Sequence, residues 1–363
     1  MGASKRGDPI PKQQISIGKL YDQFIKHFDV DKAYGELLSL AKKIGKPFEK
    51  KGKRGRPLGA EPEEYAAYFV FSWNEGHKLH GMERYSVKFL GKKLDHSTFG
   101  KIINRIPLFY FILLLEAFAH SIEQLLYTAV IAFADSTGVS TGIYKETIHK
   151  GKLTKMRKDF KLHVLAGYLP EYSLTYIKTG MASDKHTSDA EGAKQMLDRI
   201  LGWIAYFLAD KGYDAEKVHE ACTKKGMIEV VKRKDRKSKM ATYRSLTDKF
   251  FNTNLYKEIR GVIETIFGGL ENKGLLKTRL RNPSTIFKYA LASAIFHNQR
   301  TSIFARLMKI VVIFRNTRFK LFNHLNLNIQ SFRQRKISSK FSSLRDLSNV
   351  KLYTLLNHFY LNI

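Results

Sequence analysis

Three acidic residues of this chain sit where a protein can build a site for divalent cations. An apolar run, Leu125 to Ala134, ends in Ala-Asp-Ser-Thr-Gly at 134–138 and presents Asp135. A second, Ile204 to Ala209, ends in Ala-Asp-Lys-Gly-Tyr-Asp at 209–214 and presents Asp210. Glu264 closes a helix-like stretch, Tyr-Lys-Glu-Ile-Arg-Gly-Val-Ile-Glu at 256–264. Taken alone, either aspartate reads as a cap on the turn after a strand. In the order strand-Asp, strand-Asp, helix-Glu, in a chain of net charge +30, the three read as one shared metal site. Hard oxygen ligands suit magnesium or manganese, and two such ions can activate an attacking water and stabilise a leaving oxygen. Carboxylates this close repel one another, so cations are needed to keep the cluster ionised.

The elements that must position these residues follow from periodicity. At 100° per residue, Tyr256, Arg260, Glu264, Phe267 and Glu271 fall on one stripe about 80° wide. Arg260 and Glu264 read either as an i, i+4 ion pair or as a phosphate-holding arginine beside a metal-binding glutamate. The first order is the weaker one, because the acid is better placed before the base. Strands that end at Asp135 and Asp210 place both at the usual ligand-binding edge of an α/β sheet. Further strands are expected at 160–167, 172–179 and 227–231. Helices are expected at 188–201, 215–225, 255–270 and 284–296, with a buried helix over 106–127.

The balance of 63 Lys+Arg against 33 Asp+Glu, spread along the whole length, suits a protein that touches a polyanion at many places. One cysteine, Cys222, excludes an internal disulfide and a thiolate zinc cluster. The apolar run Ile106 to Leu115 is too short to span a bilayer. No apolar signal core opens the chain, so a cytoplasmic setting without membrane attachment is expected.

Residues 1–60 read as a basic, flexible segment. Within it, Arg54 and Arg56 of Arg-Gly-Arg-Pro read equally as minor-groove contacts and as part of a solvated linker. Residues 61–124 read as a small helical DNA-binding domain, with helices at 63–73 and 82–94 and a third capped by Asp95. Phe99, Ile102, Ile103 and Ile106 form the buried side of that third helix, leaving Lys101, Asn104 and Arg105 open. Helix–turn–helix and an ordinary helical bundle both fit. His77 and His80 could be a metal pair at i, i+3, but a third ligand is not visible in the sequence, and a surface position fits as well. The loop at 232–239 reads as a phosphate-tracking or a solvated segment. Residues 301–363 carry a single acid, Asp346, and read as a basic tail.

Together these motifs resemble a DDE transposase of prokaryotic insertion sequences. Ala-Asp-Ser-Thr and Ala-Asp-Lys-Gly-Tyr-Asp are similar to the family's first and second acidic motifs. Tyr256, Arg260 and Glu264 resemble its Tyr–Arg–Glu–Lys signature, and Lys161-Leu162-His163 falls where the family has a basic strand. Arg-Gly-Arg-Pro and Asp95-His96-Ser97-Thr98 resemble parts of its N-terminal domain. The likeness covers about residues 50–300. It departs at two points: three residues separate Tyr256 from Arg260 where the family has two, and Glu271 stands where Lys is expected, leaving Lys273 or Lys277 to substitute.

The resemblance implies an α/β fold, an RNase H-like mixed sheet flanked by helices over 125–300. It implies catalytic and metal-binding roles for Asp135, Asp210 and Glu264 with two Mg2+ (or Mn2+) ions. DNA contacts are expected from Tyr256, Arg260, Lys273, Lys277, Arg54, Arg56, Lys101 and Arg105. The implied partners are double-stranded DNA, as terminal inverted repeats and target, and a second copy of the chain in a homodimer on DNA. The implied activity is cleavage at element ends and strand transfer, in the cytoplasm at the nucleoid. An RNase H-like nuclease without strand transfer, or a decayed transposase that only binds DNA, are the alternatives.

Overall fold

The computed structural model describes residues 29–49, 58–126, 130–141, 144–149, 152–157, 159–200, 204–234, 242–247, 253–272 and 276–333, with Phe24 and Gly274 besides. Contacts divide the chain into Met1–Lys309 and Ile310–Ile363.

Among the described residues the first unit opens with five helices: α1 Val30–Ile44, α2 Pro62–Asn74, α3 Leu79–Leu90, α4 His96–Arg105 and α5 Leu108–Leu126. Next come β1 Ile131–Val139, β2 Tyr144–His149, β3 Lys152–Arg157, β4 Phe160–Leu169, β5 Leu174–Asp184, α6 Asp189–Arg199, β6 Tyr206–Ala209, α7 Glu216–Lys224, β7 Ile228–Val231, α8 Thr242–Thr247 and α9 Thr253–Asn272. The last helix among the described residues, α10 Pro283–Arg333, starts in the first unit and runs past Lys309.

Five strands form one sheet in the order β5-β4-β1-β6-β7. β4 pairs antiparallel with both β1 and β5, while β1–β6 and β6–β7 are parallel. With the β2–β3 hairpin set aside, three antiparallel strands and then two parallel ones make the mixed sheet of an RNase H-like α/β fold. One face, through Ala132, Ala134, Phe207 and Ala209, packs on α6 and α7. The other, through Phe133, Val164, Ile177 and Leu208, shares a continuous core with the N-terminal helices, α9 and α10.

The helical region is built around α2. Glu61 and Glu64 form a capping box at its start, and its Tyr65 to Phe71 are buried all round. Asp95 caps α4 as expected, accepting from the Ser97 N–H at 2.8 Å. Phe99, Ile102, Ile103 and Ile106 are buried, and Lys101, Asn104 and Arg105 are exposed. The 15-residue α1 corrects the expectation of a flexible stretch at its position. Asp29 caps it, Ala33, Tyr34, Leu37 and Ala41 bury one stripe, and the Tyr110 hydroxyl donates to Ala41 O and Gly45 O at its end. Beside those four buried residues, Val30, Leu38, Leu40 and Ile44 pack partly buried against the same core.

α5 is long and apolar enough, by length and composition, to cross a membrane. Here its Phe111, Leu114, Leu115 and Phe118 lie in the core. Its two acids face the sheet side: Glu116 accepts from Arg199 Nε at 3.0 Å, and Glu123 from Lys178 Nζ at 2.5 Å. It is a core helix.

α10 locks the helical region to the sheet. Lys288 Nζ, 2% exposed, donates to Ile103 O at 2.7 Å, satisfying a carbonyl at the end of α4. The Asn298 amide accepts from Ile177 N–H and donates to Ile177 O, both at 2.6 Å, so a side chain completes the outer edge of β5. The Gln299 amide donates to Ala33 O of α1. The helix does not stop near Phe296: Thr301, Phe304, Ala305 and Met308 are buried, which moves the end of the packed unit beyond residue 300. Phe304 fills a cluster with Ile122, Leu126 and Tyr176. Phe304→Ala is therefore expected to lower stability by about 3–5 kcal/mol in urea unfolding; a loss under about 1 kcal/mol would place this segment outside the core.

Candidate active site

The cleft is set by strand pairing. β1 and β6 run parallel, and the last pair of the ladder is Ala134↔Ala209. The next residue on each strand is Asp135 or Asp210, so the two aspartates stand side by side. Side chains alternate faces along a strand. Ala134 and Ala209 point toward α6 and α7, while Phe133 and Leu208 point into the opposite core. Asp135 and Asp210 share the latter face, the one against which α9 packs through Ile266, Phe267 and Leu270.

Asp135 is not at the end of its strand: β1 runs on to Val139, held by antiparallel pairing with β4 through Val139↔Phe160. It marks where the parallel ladder stops, not where the strand does. The cleft, about 110 Å³, is floored by Phe133 and Leu208 and rimmed by Asp135, Asp210, Tyr256, Arg260 and Glu264. Arg260 Nε lies 3.6 Å from Glu264 Oε1, and both side chains are largely exposed. The i, i+4 pair is thus present, and it opens on the cleft. An exposed pair of this kind contributes little stability, under about 1 kcal/mol.

The electrostatics are those of crowded carboxylates. Burial pushes the Asp135 carboxyl up to about 6, and the charges of Asp210 and Asp189 add to it. The Ser136 N–H, donating at 2.8 Å, and Arg260 oppose the shift without cancelling it. Asp210 accepts from the Gly212 N–H at 2.6 Å and caps the short turn Lys211–Tyr213. A Cβ on Gly212 would lie 2.8 Å from Asp210 Oδ1, so a larger residue there would push that carboxylate oxygen aside.

Asp189, at the start of α6, is a fourth acid of the neighbourhood. Its Oδ1 accepts from Ser136 Oγ at 2.8 Å and Lys161 Nζ at 3.0 Å. Burial raises its carboxyl, but the bonds from Lys161 and Ser136 outweigh this and hold it below the usual range. In the sequence it reads only as a helix cap. The pairing Ser136↔His163 and Gly138↔Lys161, which a sequence does not reveal, brings Lys161 to it. His163 is buried, hydrogen-bonded to Ser183 at 2.8 Å, and burial lowers its pKa to about 4.

Asp214, the second acid of Ala-Asp-Lys-Gly-Tyr-Asp, has a different setting. It is fully buried and takes a bidentate bond from Arg244 at 2.8 and 2.9 Å. Lys234 N–H donates to it at 2.7 Å, and His219 Nε2 lies 2.9 Å away. Burial opposes its ionisation, yet Arg244, the Lys234 N–H and His219 hold its carboxyl far below the usual range. His219 Nδ1 reaches the buried Glu229 at 2.6 Å.

Of the other residues expected at the site, Lys277 is exposed and its backbone bridges to Ser140 just past β1. Glu271 lies beside β1, accepting from Thr137 Oγ1 at 3.5 Å. Lys101 and Arg105 are exposed on α4, away from the cleft, with the Arg105 guanidinium 4.3 Å from the Phe48 ring centre. Arg54, Arg56 and Lys273 lie outside the described residues, as does most of the loop at 232–239.

An RNase H-like sheet that brings two aspartates and a helical glutamate to one cleft defines a class of metal-binding, nucleic-acid-processing proteins. Within that class, residues 127–299 match the family model of the transposase DDE domain. That segment spans β1 to the first third of α10 and contains all three acids; the match supports a DDE transposase, a DNA-binding enzyme. No curated protein matches the chain.

Two outcomes follow from the charges. Asp135 titrates near 3.8 ordinarily and near 6 in the folded, cation-free protein, so the folded state holds this proton more tightly. Its contribution to stability therefore falls as pH rises across that window. Asp135→Asn should gain on the wild type by about 1–2 kcal/mol from acid to neutral pH, after allowance for solvent screening; parallel melting curves against pH would show no divergence if the carboxyl were not perturbed. For the buried cluster, Arg244→Met leaves Asp214 without its main partner and should cost about 3–5 kcal/mol in urea unfolding. A near-neutral result would mean that His219 and Arg233 satisfy Asp214 without it.

Proposed function

We propose that the chain is the transposase of a prokaryotic insertion sequence, cleaving DNA at the element's ends and joining the freed strand to target DNA. The observation that carries this reading is the placement of Asp135 and Asp210 as neighbours beyond the parallel ladder, with Glu264 across the same cleft. The donor set fits hard dications: three carboxylates, one of which burial, with the charges of Asp210 and Asp189, raises to about 6 when no cation balances it. Asp135, Asp210 and Glu264 would hold two magnesium or manganese ions, which when bound supply Lewis acidity and neutralise charge at the phosphate.

The chain's own residues do the rest. Asp135 and Asp210 are fixed by backbone N–H bonds and by pairing, so their oxygens need little reorganisation. Arg260 orients Glu264 or binds a phosphate oxygen, and Tyr256 packs beneath it against the DNA near the scissile bond. Lys277 takes the place of the lysine that the resemblance expects seven residues after Glu264. Lys101 and Arg105 on α4, with Arg54, Arg56 and Lys273, contact the phosphate backbone of terminal inverted repeats. The net charge of +30 supports binding spread over many such contacts. Joining two element ends calls for a homodimer on DNA, acting at the nucleoid in the cytoplasm.

Glu271, an acid beside β1 where a lysine is expected, favours one second reading: a product that binds DNA without cutting it. Nicking assays on end-containing DNA decide. Asp135→Asn, Asp210→Asn and Glu264→Gln should each lower nicking by at least about 100-fold while gel-shift affinity stays within a few-fold. Magnesium or manganese should support cleavage, calcium binding only, and EDTA neither cleavage nor joining. Cleavage in EDTA, or a wild-type rate in any of the three variants, would contradict the reading. A wild-type protein that binds but never nicks would establish the second one.

A further inference from the structure

A second cluster of ligand side chains lies in the helical region, on elements separate from the acidic cleft. His80 and Glu83 are at i, i+3 in the first turns of α3 and so share a face. The chain leaves α3 through Gly91, whose left-handed φ of 68° turns it back. The Leu94 N–H donates to Ser86 Oγ at 3.0 Å, fixing the return. Asp95 then caps α4 and delivers His96, its first residue, to the start of α3. Glu83 Oε2 accepts from the His96 N–H at 3.3 Å and lies 3.1 Å from His96 Nδ1. The His80 and His96 ring centres are 4.2 Å apart. One ligand atom from each of the three residues falls within 4.8 Å of the others. Asp95 Oδ2, 3.5 Å from His96 Nδ1, adds a nearby oxygen.

We propose that His80, Glu83 and His96 bind a transition-metal dication, zinc by preference, which staples the start of α3 to the start of α4. Two imidazoles and one carboxylate are a donor set for zinc, with water or Asp95 completing a tetrahedron. Nitrogen donors separate this site from the all-oxygen cleft, which suits magnesium or manganese. The ligands are partly exposed at the surface, so an ion has an entry path. The spread of up to 4.8 Å is wider than a bound tetrahedron needs, so binding would draw the exposed His80 inward. The consequence lies in α4, which carries Lys101 and Arg105: a metal at its first turn fixes the helix that presents them. This site is independent of the chemistry assigned to the cleft.

The test is cobalt(II) titration of the full-length protein, read by visible absorption, with zinc as competitor. One equivalent of cobalt should give the intense band of a four-coordinate site with nitrogen ligands. Zinc should abolish it and excess magnesium should not. His80→Ala and His96→Ala should lose the band, and an Asp135→Asn/Asp210→Asn double variant should keep it. Zinc should also raise the melting midpoint of the wild type and not that of His80→Ala. Because His80 is exposed, that variant is the one expected to fold normally if His96→Ala does not. A wild-type band in His80→Ala, no band in the wild type, or a band lost only in the aspartate double variant would each overturn the proposal.

Discussion

Like charge held at close quarters is the constraint on which this structure turns. The parallel pairing of β1 with β6 stops at Ala134 and Ala209, and an aspartate follows on each strand. α9 brings Glu264 to the same cleft, and Asp189, kept ionised by Lys161 and Ser136, adds a fourth negative group behind Asp135. Burial, with the charges of Asp210 and Asp189, raises the Asp135 carboxyl to about 6, and the cleft is left open, where a cation can enter.

The contrast with Asp214, four residues after Asp210, makes the point. Asp214 is buried outright, yet its carboxyl is held ionised, because Arg244 grips both oxygens and Lys234 and His219 complete the shell. The chain can evidently satisfy a buried carboxylate when only folding is at stake. Among the described residues, Asp135 and Asp210 meet two backbone donors and the exposed Arg260. A set of acids left under-compensated beside a fully compensated one is the signature of a site awaiting an external charge.

Much of this was legible in the sequence, for identifiable reasons. Strands carrying Ala-Asp and a stripe of Tyr256, Arg260 and Glu264 are short-range patterns: β6 does end at Ala209, whereas β1 runs past Asp135, and the stripe lines the cleft. The caps at Asp95 and Ser188 were equally readable, since capping is local. What could not be read depends on register or on distant packing. Asp135 lies within a nine-residue strand because β4 pairs past it, and a run of Ser, Thr and Gly does not announce a strand. Asp189 comes near Asp135 only through the cross-strand pairing that brings Lys161 beside Ser136. The continuation of α10 past residue 300 rests on Phe304 and Met308 meeting α5 and β5, in a segment whose basic composition suggested a tail. His96 completes a triad with His80 and Glu83 only because the chain reverses at Gly91; from sequence, His80 had only His77 beside it.

The account stands or falls on whether Asp135, Asp210 and Glu264 form one cation site. Iron(II) in place of magnesium, with ascorbate and peroxide, cuts the backbone where the ion is bound. The account predicts cuts clustered near residues 135 and 210 and in the turn of α9 around 264, all suppressed by excess magnesium and absent in Asp210→Asn. Cuts confined to His80 and His96, or a pattern unchanged by magnesium and by Asp210→Asn, would contradict it.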